Sequence, residues 1–219
     1  MSATAQPEAK PSWRGWLHAG ATPLALLGGV LLVLLAPTTT GKVSSAIYAA
    51  TGVLLFGTSA LYHRGNWAPR TKMLLKRADH ANIMLVIAGS YTPLSAMLLP
   101  TPTAELLLWL IWCGAVAGIA FRVLWVAAPR WLYVPVYVLL GLAALFFLPQ
   151  FWAASVPATV LIVLGGVLYI AGALIYGIKR PNFSRAHFGF HELFHAFTLA
   201  GFAAHYAAIV IAVLHQRPS

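Results

Sequence analysis

Only four of the 219 side chains are carboxylates, and charged residues of both signs amount to 8% of the chain. A soluble domain carries about 25%, so an ordinary soluble globule is excluded. A single cysteine, Cys113, lies inside an apolar run. That excludes an intrachain disulfide and leaves no set of thiolates to close a structural metal site. Alternation of apolar and polar residues is missing too. The apolar runs are continuous and far longer than strands, which excludes a membrane β-barrel. There is no low-complexity segment, no polar domain and no internal repeat of the kind transporters carry.

What is present is apolar: 60% hydrophobic residues and a mean hydropathy of +0.81. This composition predicts an all-α polytopic membrane protein. Runs long enough to cross about 30 Å of hydrocarbon fall roughly at 18–37, 42–63, 79–99, 104–126, 131–148, 157–176 and 191–214. They form one seven-helix domain, 18–215, after a polar tail, 1–17. The fifth run is interrupted by Pro135, and Pro93 predicts a kink in the third. The first run ends in Pro-Thr-Thr-Thr-Gly with no small-residue cleavage site, so it reads as a retained span rather than a leader. Residues 64–78, with Trp67, Leu74 and Leu75 among cations, read in part as an interfacial helix.

The net charge of +10 does not indicate nucleic acid, because the cations sit in short loops between spans. All but Lys42 and Arg217 of the 14 fall on one side. The positive-inside rule then puts the N-terminus in the cytoplasm and the C-terminus outside, in the cell (plasma) membrane.

Polar residues within the spans are few, and their depth is informative. His191 and His195 are four positions apart at the start of the seventh span, hence one turn apart on one helix face. His63 ends the second span, with Ser59 one turn deeper. Asp79 opens the third. Alternating topology brings these five to one depth near the cytoplasmic face. Singly each has an ordinary role: His63 an interfacial cap, Asp79 a first-turn acid, Ser59 a bond to its own backbone. Together, three histidines supply three neutral nitrogen ligands for zinc and leave a fourth position for water. Asp79 would act as general base or fourth ligand, and Ser59 would bond the water or a developing oxyanion. Iron or another divalent ion suits the same donors. His205 lies about 21 Å beyond His191 along the helix and reads as a packed, hydrogen-bonded histidine. His18, His80, His187 and His215 receive no chemical role.

The Ser-x-x-x-His of Ser59–His63, the Arg-Ala-Asp-His-Ala-Asn-Ile around Asp79 and the His-Glu-Leu-Phe-His of the last span resemble the haemolysin III family. That family is the bacterial branch of the progestin and adipoQ receptors. The resemblance implies a seven-helix bundle with an intramembrane zinc held by His63, His191 and His195, with Asp79 and Ser59 beside it. The wider group includes alkaline ceramidases, which implies hydrolysis of a lipid amide or ester, with a membrane lipid as substrate. The long cytosolic domain of the animal receptors has no counterpart here, so their ligand signalling is not carried over.

Two other readings compete. His191–His195 also matches His-Glu-x-x-His, with Glu192 as the base of an intramembrane metalloprotease. Alternatively the protein is a non-enzymatic receptor, sensor or cytolysin with structural zinc. A pore is disfavoured, because no span carries a polar face.

Overall fold

The computed structural model describes residues 11–184 and 186–216. Residues 1–10 of the expected tail lie outside the described residues, as do Arg185 and Arg217. The described chain is helical, and seven helical segments are long and apolar enough to cross a membrane. They are α1 (Trp16–Leu35), α2 (Thr39–Arg64), α3 (Pro69–Leu98), α4 (Thr101–Leu124), a composite crossing, α7 (Val156–Ile178) and α8 (Phe190–His215). The composite consists of α5 (Arg130–Gly141), a 3-10 segment (Leu142–Phe147) and α6 (Leu148–Ala154).

Local chemistry explains the helix starts. Thr38 caps α2 by accepting from the Gly41 N–H at 3.0 Å, and Ser155 caps α7 through Ala158 N–H. Pro69 opens α3, where a missing N–H costs nothing. The helix thus begins ten residues before the apolar run expected at 79–99. Residues 70–77 are mostly strong helix formers, so the helical part expected in 64–78 is continuous with α3.

The fifth crossing also differs from expectation. α5 runs through Pro135, and the irregularity falls instead at Leu142–Phe147. Tyr91 of α3 accounts for it. Its hydroxyl donates to the Gly141 carbonyl at 2.6 Å and accepts from the Ala144 N–H at 2.8 Å. These bonds add to those of the 3-10 turn itself, in surroundings where an unpaired backbone group costs several kcal/mol, of order 2–7. α3 likewise continues through Pro93 to Leu98.

Successive helices α1 to α4 pack side by side, and α8 lies along α7 while also touching α1, α2 and α3. α3 is the most buried span. Leu32, Phe56, Met84, Leu107, Ile111 and Ile209 form its surrounding core. Leu24, Leu34, Trp109, Leu124 and Phe146 point outward and are exposed, as side chains facing lipid must be. Gly165 and Gly201 let α7 and α8 approach: a Cβ on either would lie 3.1 Å from the other's carbonyl oxygen. Short connections alternate the helix direction, so the ends of α2, α4 and α7 share one end of the bundle with the starts of α3, α5 and α8.

Candidate metal centre

That shared end carries the sequence-predicted residues. His63 lies in the last turn of α2, and His191 and His195 in the first two turns of α8. One ligand nitrogen from each of the three lies within 4.8 Å of the others. Nε2 of His63 is 3.1 Å from Nε2 of His191. Two nitrogens bound at about 2.05 Å to one tetrahedral zinc stand about 3.3 Å apart. The ring centroids of the three pairs are 4.5, 4.7 and 5.3 Å apart. The donor set therefore fits a divalent metal ion.

Asp79 is not part of this converging set. It lines the same cavity, and the buried Ser59 hydrogen-bonds to its carboxylate. Ser59 and Asp79 thus act on one another from α2 and α3, at the side of the histidines.

Glu192 sits elsewhere. One carboxylate oxygen is paired with Arg14 Nε, and the other accepts the Gly189 N–H at 2.9 Å. One oxygen is thus committed to the segment before α1 and the other to the start of α8, where an acid offsets the helix dipole. The base role required by a metalloprotease finds no support in this geometry.

The N-terminal segment closes the site from the side. Ser12 N–H donates to the Ala186 carbonyl at 2.9 Å, and its hydroxyl bonds His187 at 2.9 Å. Gly15 follows with φ of 81°, a left-handed value that favours glycine. A Cβ there would stand 2.9 Å from Cβ of His63. The chain is thereby pressed against a metal-ligand candidate.

Two histidines without an expected role are drawn in. The buried His18 ring stacks on His195, with centroids 3.9 Å apart and planes within 1°. Neither of its nitrogens has a hydrogen-bond partner among the described residues. His80 meets the guanidinium of Arg122 through Nδ1. The depth of His18 was a usable sequence signal. Its pairing with α8 was not, because no local spacing encodes contact between the first and last helices.

A cavity of about 850 Å3 opens beneath the histidines. Its walls include Leu55, Ile83, Ile87, Leu94, Phe151 and Ile162, and it reaches Thr198 and His205. His205 is ten residues beyond His195, so the cavity follows α8 for about 15 Å. His205 is also the packed histidine expected, its Nε2 donating to the Ile162 carbonyl at 3.2 Å.

The chain matches the family model described as Haemolysin-III related over residues 8–206. It is similar to the Hemolysin-3 homolog of Bacillus subtilis (strain 168), 31% identical over 169 residues, covering 77% of this chain and 76% of that protein. It is also similar to Hemolysin-3 of Bacillus cereus, 29% identical over 178 residues, covering 81% and 78%.

Proposed function

Given that the chain belongs to the haemolysin-III related family of multi-pass membrane proteins, we propose that it is a zinc-dependent hydrolase of lipid amide or ester bonds, serving membrane-lipid homeostasis. One observation carries the reading. Three imidazoles from two helices converge at the head of a largely apolar cavity, with the Asp79–Ser59 pair beside them.

Zinc, when bound by His63, His191 and His195, supplies Lewis acidity and a water whose pKa is lowered to about 7. The chain's own residues do the rest. Asp79 takes the proton of the attacking water and returns it to the leaving amine or alcohol. Ser59 holds the Asp79 carboxylate in position. Leu55, Ile83, Ile87 and Ile162 keep bulk water from the acyl chain, which lies along α8 toward His205. His18 fixes the ring plane of His195 by stacking. The cation-rich end holding the site faces the cytoplasm, by the positive-inside rule.

The test is release of fatty acid from mixed micelles of ceramide and phospholipids by the zinc-loaded protein. The wild type releases it and a chelator stops it. Asp79→Asn lowers the rate by about 10²–10⁴-fold while retaining zinc. Stoichiometric zinc with no release from any of these lipids contradicts the reading.

A further inference from the structure

The cavity has a second chemical region that hydrolysis does not use. At the histidine end it is also lined by Lys72, Lys76, Arg122 and Arg130. A positive-inside bias accounts for lysines at a helix start, but not for Arg122. That side chain is 1% exposed, and it is the largest of the fully buried ones. Its guanidinium lies 4.1 Å over the Tyr133 ring, donates to the Trp125 carbonyl at 3.3 Å and touches His80. Its Nε has no hydrogen-bond partner among the described residues.

No carboxylate of the described residues pairs with it. Among the described residues the one ion pair is Arg14 with Glu192. The remaining acid of the cavity, Asp79, is bonded to Ser59. A guanidinium buried at the end of the bundle without a counter-ion among the described residues is costly, and marks a place where charge is supplied from outside the chain.

Arg130 extends the same wall toward the histidines. It lies 4.3 Å over the Tyr176 ring and donates to the Tyr176 carbonyl at 3.1 Å. The Tyr176 ring is 5.7 Å from that of His191, and its hydroxyl is 3.3 Å from that of Tyr133. An aromatic wall therefore joins the metal centre to Arg122, with both guanidinium groups over its rings. Planar, pre-oriented forks suit a phosphate better than a neutral headgroup.

We propose that Arg122 and Arg130, with Lys76, form a binding site for the phosphate of a lipid headgroup, so that the lipid taken into this cavity is a phosphate-bearing one. The assignment rests on the cavity being a lipid site, and it deepens the hydrolase reading by selecting an anionic over a neutral substrate. A phosphate held there leaves the neighbouring linkage at the histidines and the acyl chain along α8.

The test is equilibrium binding to the full chain in neutral detergent, with radiolabelled dioleoyl phosphatidic acid as probe. Unlabelled phosphatidic acid, dioleoylglycerol and oleate serve as competitors. Phosphatidic acid should compete at least about tenfold better than dioleoylglycerol, which has the same chains without the phosphate. Arg130→Gln and Lys76→Gln should each shrink that preference while dioleoylglycerol competes as before. These two variants keep the test open should Arg122→Gln fail to fold. Equal competition in the wild type, or a preference unchanged in both variants, overturns the proposal. So does oleate competing as well as phosphatidic acid, which would assign the wall to a carboxylate. Running the titration and the lipid-cleavage assay on the same zinc-loaded wild type separates the two readings. A preference for phosphatidic acid without cleavage of any lipid sinks only the hydrolase, whereas turnover of ceramide without a preference sinks only the phosphate site.

Discussion

Replacing Arg14 by methionine tests how the N-terminal segment is locked to α8. Glu192 is 1% exposed and Arg14 22%, so the substitution leaves a carboxylate buried without its cation. Removing one partner of a buried pair costs about 3–5 kcal/mol. Glu192 keeps the Gly189 N–H and the favourable end of the α8 dipole, which returns about 1 kcal/mol. With Arg14 partly screened by water, a net loss of about 2–3 kcal/mol is expected. For a chain of 219 residues that is a fall in melting temperature of about 4–12 °C. Glu192→Gln should cost only about 1 kcal/mol, since its amide oxygen still accepts the Gly189 N–H. The double variant should melt close to Glu192→Gln, well above the sum of the two losses. Thermal unfolding in detergent, followed by tryptophan fluorescence, reads all three. Additive losses, or an Arg14→Met protein as stable as the wild type, would refute the pairing argument.

Three further outcomes are expected. Tyr91→Phe removes the hydrogen bonds of the hydroxyl to the Gly141 carbonyl and from the Ala144 N–H, costing about 1–3 kcal/mol. Unchanged melting would show that the 3-10 segment does not depend on Tyr91. His18→Phe keeps the stack on His195 and removes two buried, unpartnered nitrogens, so melting should hold or rise. A fall of more than about 4 °C would mean those nitrogens are bonded. Glu192→Gln should keep its lipid-cleaving rate within about threefold, whereas a protease base would lose 10²-fold or more.

The crossings were legible in the sequence because hydropathy and length depend on one segment at a time. His63, Asp79 and His191 were legible as a group for a related reason: alternating direction fixes depth without knowledge of packing. What was not legible depends on which faces meet. The Arg14–Glu192 pair spans nearly the whole chain, and nothing near Glu192 distinguishes a capping acid from a catalytic base. The irregularity of the fifth crossing was misplaced at Pro135 because it falls at Leu142–Phe147, where the backbone meets Tyr91 on another helix, a contact no local pattern encodes. The first turns of α3, which precede the apolar run at 79–99, were not legible because they are cationic. Hydropathy ends a span where charge begins, although the backbone hydrogen bonds continue.

Metal content decides the central claim. Detergent-purified protein, analysed by mass spectrometry for metals beside His63→Ala, His191→Ala and His195→Ala, should hold about one zinc per chain. Each variant should fall below about a tenth of that, with the helical circular dichroism unchanged. A wild type without stoichiometric metal, or a metal retained in all three variants, would contradict a centre built from α2 and α8.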